Sequence, residues 1–166
     1  MKSVALTGNA AAGKSAVATA WARAGVSVVS ADELARQAVA PGSPGLAEVR
    51  AAFGDDVLAA DGTLDRGALR RRVFSDDEAR RRLEGILHPR IRTLRSAWME
   101  ERRNAGDALV VAEIPLLFET GHEGDFDAVV LVDAPDAVRL GRLVEQRGLS
   151  EEEARRVMVE KHRLNI

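Results

Sequence analysis

A phosphate-binding loop is predicted at residues 8–15, which read GNAAAGKS and match the pattern G-x-x-x-x-G-K-[ST]. The glycines let backbone N–H groups turn toward phosphate oxygens, and the helix that begins after the loop adds positive partial charge at its N-terminus. Lys14 reaches the terminal phosphates of a nucleotide, and the Ser15 hydroxyl is a ligand for Mg²⁺. The pattern therefore predicts a site for ATP and Mg²⁺. The predicted nucleotide-binding residues are Gly8, Asn9, Ala10, Ala11, Ala12, Gly13, Lys14, Ser15 and Ala16.

Asp32 is a candidate catalytic base. It follows the apolar run 26–29 by a few residues, which places it at the carboxyl end of a predicted strand, where open α/β sheets bind their ligands. A carboxylate there could orient or deprotonate an acceptor hydroxyl. The position suits an N-cap of the helix predicted from Glu33 equally well. The spacing alone leaves both interpretations open.

Two other acidic residues end predicted strands. Glu113 ends the third strand and Asp133 the fourth. Either residue could hold Mg²⁺ through water, or could have only a structural capping role.

Beyond the fourth strand, Arg139, Arg142 and Arg147 include at least one candidate for a mobile arginine that neutralises charge on a transferred phosphoryl group. The sequence does not indicate which one.

His88 precedes Pro89, and the pair has two interpretations. His88 could contact a substrate. Pro89 is also typical of the first turn of a helix, so the pair could mark a helix start after a break. Trp21 and Trp98 fall on apolar helix faces and are interpreted as packing residues.

The elements that position these residues alternate between strands and helices. Four apolar runs rich in β-branched residues predict buried parallel strands, at 4–7, 26–29, 109–112 and 129–132. Helical patterns cover 14–23, 31–39, 44–53, 65–74, 76–87, 90–103, 136–146 and 151–161, with Ser150 as N-cap of the last. The fold class is therefore α/β with a parallel sheet, and the helices between the second and third strands form an insertion.

Composition favours a compact protein, and the arginines that crowd at 70–72, 80–82, 90–103 and 139–156 favour anionic ligands. The chain has 166 residues, a net charge of −2 and no cysteine, so one domain is expected and disulfides are excluded. The balanced charge argues against a nucleic-acid binder, and no apolar stretch is long enough to span a membrane. The N-terminus lacks the pattern of a signal peptide, and we expect a cytoplasmic location.

Several motifs in order resemble those of the dephospho-CoA kinase family. They are the phosphate loop with Leu6 and Thr7 before it, 31–36 (ADELAR), 53–54 (FG), 87–89 (LHP), 113–119 (EIPLLFE), 131–133 (LVD) and 139–154. The resemblance covers about residues 1–158. It is therefore more specific than the phosphate loop alone.

The resemblance implies ATP-dependent phosphorylation of the ribose 3′-hydroxyl of dephospho-CoA, which yields coenzyme A and ADP. It identifies Asp32 with the presumed base of the family and Arg142 with the lid arginine, and it favours Arg36, His88 and Glu113 as substrate-binding residues. It implies a P-loop kinase fold in one domain, 1–166. Within it, 1–32 with 107–135 form the nucleotide-binding core, 33–106 the helical substrate-binding insertion and 136–160 the lid region.

The chain departs from the family pattern at three places. Ser30 and Ala16 stand where the family usually has Asp and Thr, and Met158–Ile166 drifts from the pattern where a fifth strand and final helix usually follow. We therefore expect four strands. Two alternatives remain at this stage: another kinase of nucleosides or nucleotides, because a phosphate loop does not name its acceptor, or a binding protein for nucleotide or CoA that lacks turnover. The oligomeric state is left open.

Overall fold

A computed structural model of the chain describes residues 1–74 and 76–159. The strands are β1 (Lys2–Gly8), β2 (Ser27–Ser30), β3 (Leu109–Glu113) and β4 (Ala128–Val132). The helices are α1 (Lys14–Arg23), α2 (Ala31–Ala38), α3 (Pro44–Phe53), α4 (Arg66–Phe74), α5 (Asp77–Asn104), α6 (Asp136–Arg147) and α7 (Glu151–Val159). Short 3₁₀ turns lie at Asp55–Val57 and Glu123–Asp125.

Within the described residues the sheet has four strands, all parallel, in the order β2-β3-β1-β4. This confirms the α/β fold class. Ala5 of β1 pairs with Ala112 on one side and Val129 on the other. The central strands are apolar on both faces because helices cover a parallel sheet, as the β-branched runs indicated. The carboxyl ends of all four strands consequently share one edge of the sheet.

The chain forms two compact units. The first contains Met1–Ala31 and the described residues from Glu101 onward, and its core includes Leu6, Ala18 and Val111. The second is Asp32–Glu100. Its own apolar core comprises Ala38, Val39, Leu46, Val49, Phe53, Val57, Leu69, Leu83 and Leu87. The predicted division of the chain into core, insertion and lid stays a prediction.

The predicted helix break at His88-Pro89 is wrong. The structure has one helix, α5, of 28 residues with Pro89 inside it. Proline removes one backbone donor and crowds the preceding turn. Beside it, Arg90 Nη1 donates to the Ile86 carbonyl at 2.9 Å and Thr93 Oγ1 to the Pro89 carbonyl at 3.0 Å. Apolar residues before and after Pro89 pack against the same core, so burial favours the continuous helix.

Helix α7 begins with the predicted cap. Ser150 Oγ accepts from the Glu153 backbone N–H at 3.2 Å, and the Glu153 carboxylate accepts from Ser150 N–H and Oγ at 2.9 and 2.8 Å. This reciprocal arrangement is a capping box. The end of the predicted helix at residue 161, the end of the predicted lid region at 160 and most of Met158–Ile166 lie outside the described residues. Within the described ranges, no helix combines the length and apolarity that a membrane crossing requires.

Candidate active site

The phosphate loop connects β1 to α1 at the carboxyl edge of the sheet. Gly8 pairs with Val132 of β4, and a Cβ on Gly8 would lie 2.1 Å from the Val132 carbonyl oxygen, so only glycine fits there. Gly13 has φ +111° and is the N-cap of α1, with no side chain capping the helix. Both glycines permit the backbone conformation that the motif requires. The first turn of α1 is thus left open to an anion.

Several backbone donors of the loop have no acceptor within the described residues, and the N–H groups of Ala11 and Gly13 are among them. Between them, the Ala12 N–H donates to the Asn9 carbonyl at 3.2 Å and closes the loop into a turn. Ala11 has φ +58°, a left-handed conformation that costs a non-glycine residue roughly 1–2 kcal/mol. The Ala11 and Gly13 N–H groups are therefore available as donors to an anion.

Lys14 and Ser15 lie in the first turn of α1. Lys14 Nζ donates to the carbonyls of Gly8 at 2.7 Å and Asn9 at 3.1 Å, so the ammonium spans the loop. Ser15 is exposed, as is Ala16, and the Ser15 hydroxyl has no partner within the described residues. Its oxygen is therefore available as a ligand.

Arg142, on α6, contacts the same loop. Its Nη1 donates to the carbonyls of Ala11 at 2.9 Å and Ala12 at 3.0 Å. Its Nε and Nη2 have no partner within the described residues. A guanidinium has five N–H donors, so Arg142 keeps donors for a phosphate while it is anchored to the loop.

Arg139 is not the mobile arginine that its position on α6 suggested. Its side chain is 8% exposed; Nε donates to the Ala10 carbonyl at 3.0 Å and Nη1 to Asp136 at 2.9 Å. Burial and these two bonds hold it in place. Sequence reasoning missed this anchoring role. The i,i+3 spacing of Asp136 and Arg139 in the first turn of α6 could have signalled their ion pair, but it does not signal the bond to Ala10. Arg147, at the end of α6, is exposed.

Glu113 and Asp133 both lie at the carboxyl edge. Glu113 is half-buried at the end of β3, where it pairs in register with Leu6 and Ser30, whereas Asp133 is exposed just after β4. Within the described residues no group of three or more His, Cys, Asp or Glu could hold a metal ion. A metal here would therefore depend on Ser15, water and nucleotide oxygens, which is how Mg²⁺ is usually bound beside phosphates.

Asp32, Arg36 and His88 belong to the second unit. Asp32 lies in the first turn of α2, which begins at Ala31, so the N-cap interpretation of Asp32 is wrong. Arg36 is exposed one turn later, and the i,i+4 spacing puts both side chains on one face of α2. His88 is half-buried within α5.

Comparison with known proteins identifies the chain's relatives. A family model described as dephospho-CoA kinase matches residues 2–164. The dephospho-CoA kinase of Methylococcus capsulatus is 46% identical over 158 residues, covering 93% of this chain and 77% of that protein. The enzyme of Corynebacterium jeikeium is 46% identical over 156 residues, covering 94% and 80%.

Two solved structures are similar in fold. A crystal structure from Thermus thermophilus superposes with a TM-score of 0.79 at 38% identity, covering 96% of this chain and 81% of that one. The dephospho-CoA kinase of Campylobacter jejuni has a TM-score of 0.67 at 26% identity, covering 96% and 79%.

Proposed function

Because the chain belongs to the dephospho-CoA kinase family, we propose that its phosphate loop, Asp32 and Arg142 transfer the γ-phosphoryl group of ATP to dephospho-CoA. The acceptor is the ribose 3′-hydroxyl and the products are coenzyme A and ADP, in the last step of coenzyme A biosynthesis. The observation that carries the residue assignment is the open loop, in which the Ala11 and Gly13 N–H donors have no partner among residues 1–74 and 76–159. Unpartnered donors at a helix N-terminus support a site for the phosphates of a nucleotide.

ATP binding exchanges the internal contacts of the loop for contacts with phosphate. Lys14 Nζ lies on the carbonyls of Gly8 and Asn9, and we propose that it turns to the β- and γ-phosphates when ATP binds. Arg142 keeps Nη1 on the loop and presents Nε and Nη2 to the transferred group. Two cations then neutralise the charge that spreads over the equatorial oxygens.

Asp32 accepts the proton of the acceptor. The 3′-oxygen forms a bond to the γ-phosphorus, the bond from that phosphorus to the β–γ bridging oxygen breaks, and the hydroxyl proton passes to the Asp32 carboxylate. ADP leaves with the bridging electrons. Phosphoryl transfer demands mostly positioning and charge neutralisation, so Asp32 acts chiefly by orienting the hydroxyl and removing its proton.

Mg²⁺ fits the donors that the chain offers, because the exposed Ser15 hydroxyl provides one hard oxygen ligand. When bound, the ion offsets the negative charge of the β- and γ-phosphates. We propose Arg36, His88 and Glu113 as substrate-binding residues, by resemblance to the family. We further propose small-molecule ligands rather than nucleic acid, in keeping with the net charge of −2. We also propose a cytoplasmic location.

The test is ATP-dependent conversion of dephospho-CoA to coenzyme A, followed by chromatography of both products. Asp32→Asn should lower kcat by about 10²–10⁴-fold, the usual contribution of a general base, and change the KM for ATP little. The control is Glu33→Gln, which removes the neighbouring exposed carboxylate of α2 and should retain activity. Full activity in Asp32→Asn would refute the role of Asp32. Faster turnover of adenosine or AMP than of dephospho-CoA would refute the assignment of dephospho-CoA as the acceptor.

A further inference from the structure

Arg139 is buried against the phosphate loop and has no part in the reaction steps above. Its two hydrogen bonds join Ala10 of the loop to Asp136 in the first turn of α6. A buried guanidinium is costly unless it is paired and hydrogen-bonded, and these contacts provide both. The result is a fixed donor aimed at a single carbonyl of the loop.

The Ala10 carbonyl shares its peptide plane with the N–H of Ala11. A peptide is rigid and, when trans, points its C=O and N–H in opposite directions; the described residues contain no cis peptide. A donor that holds the Ala10 oxygen therefore also sets the direction of the Ala11 N–H. That N–H is one of the loop donors that have no acceptor in the described part of the chain.

The backbone conformation of Ala11 makes a restraint on this peptide necessary. Its φ of +58° is unfavourable for a residue with a Cβ. Without a partner on the Ala10 carbonyl, the adjacent peptide would gain by rotating toward an extended conformation, which would turn the Ala11 N–H away from its ligand. Arg139 opposes that rotation.

We propose that Arg139 is a positioning residue for ATP, which holds the Ala10–Ala11 peptide so that the Ala11 N–H faces the phosphates. This rests on the proposed ATP site at residues 8–15. Arg139 acts through the loop and does not touch the nucleotide. Arg142 contacts the next two carbonyls through Nη1, but the proposed reaction also gives Arg142 a direct phosphate contact. Arg139 therefore allows positioning to be measured separately from phosphate contact.

The first test is Arg139→Met, which keeps the apolar stem and removes the donors. The dissociation constant of ATP, measured by calorimetry, and the KM for ATP should both rise about 10-fold, because the Ala11 N–H would lose its proposed charge-assisted hydrogen bond to phosphate. The KM for dephospho-CoA should stay within about twofold, since the loss is confined to the nucleotide side. A purely structural role would instead lower the Tm and the active fraction, with unchanged ATP affinity of the folded protein.

Arg155→Gln is the matched control, because it removes an exposed arginine that pairs with a helix carboxylate, Glu151, away from the loop. Should Arg139→Met fail to fold, Asp136→Ala takes its place. Asp136 is 83% exposed, so its removal spares the core and frees one end of Arg139; ATP affinity should fall about threefold, as for a weaker restraint. Unchanged ATP affinity in folded Arg139→Met, or in Asp136→Ala if that variant has to be used, refutes the positioning role of Arg139 and leaves the proposed ATP site standing. Absence of ATP binding in the wild type refutes the proposed site as well.

Discussion

At the scale of single residues, Asp127 connects the start of β4 to β1. It directly precedes β4, and its carboxylate accepts hydrogen bonds from Ser3 N and Oγ at 2.8 and 2.9 Å and from Lys2 Nζ at 3.3 Å. These bonds, the one from the Ser3 backbone above all, lower the pKa of Asp127 to about 2. The ionised carboxylate is therefore part of the folded structure at neutral pH.

This lowered pKa predicts a specific acid dependence of stability. The contribution of Asp127 is fully present above its unfolded pKa, near 3.9, and is lost as pH falls through its folded pKa of about 2. Asp127→Ala should thus unfold at lower urea concentration than wild type at pH 7, and the difference should narrow steadily below about pH 4. Urea titrations between pH 7 and pH 2.5 measure this. A difference that is constant over the whole range would contradict the assignment.

The residues that a motif defines were predictable, and those defined by packing were not. Lys14 and Ser15 follow from the spacing of the phosphate-loop pattern, and the structure places them in the first turn of α1 as that pattern requires. The contact between Arg139 and Ala10 joins residues 129 positions apart. It depends on how α6 packs against the loop, and no local pattern encodes that.

At the scale of elements, helices α2 and α3 approach closely at Gly45. Ser43 caps α3 by accepting from the Leu46 N–H at 3.1 Å, and it also donates to the Ala38 carbonyl at the end of α2, at 2.9 Å. A Cβ on Gly45 would lie 2.0 Å from that same Ala38 oxygen and 2.9 Å from Arg90 Cδ. The side chain of Arg90 could move aside, whereas the backbone of α2 could not.

Gly45→Ala should therefore lower the free energy of unfolding by about 1–3 kcal/mol, the usual cost of forcing atoms into a packed region. The control is Gly85→Ala in α5, where a Cβ meets nothing within 4 Å. That change should raise the free energy of unfolding by roughly 0.5–1 kcal/mol, because alanine loses less entropy than glycine in a helix. Urea unfolding of both variants measures the opposite signs. Equal effects would show that helix propensity, not the close approach, governs position 45.

Helix α5 shows where element boundaries escape sequence reasoning. Pro89 argued for a break, but the apolar residues Leu83 and Leu87 continue at helical spacing into Ile91 and Leu94. That periodicity was the better signal, because burial of one continuous face outweighs a single lost backbone hydrogen bond. The strand order β2-β3-β1-β4 was beyond prediction from spacing, since it is set by which crossover each helix makes.

At the scale of the whole molecule, each unit has a hydrophobic core of its own. Leu6 and Val111 lie in the core of the first unit, with the phosphate loop, Arg139 and Arg142 in that unit too. Val49 and Leu87 lie in the core of the second. Ligand binding raises the free energy of only those openings that release the ligand. Because compact units often open separately, ATP binding should slow amide exchange in the first unit and change exchange in the second unit little.

Native-state hydrogen exchange tests this separation. With ATP and Mg²⁺ at 100 times the dissociation constant, exchange of core amides such as those of Leu6 and Val111 should slow about 100-fold, whereas exchange at Val49 and Leu87 should change little. Lys14→Ala, at the same ATP concentration, should lose most of the slowing, because it removes the proposed phosphate contact and leaves both cores intact. Equal slowing at all four wild-type amides would mean that both units unfold in one cooperative step. In that event the binding energy of ATP would stabilise Asp32, Arg36 and His88 as directly as it stabilises the loop.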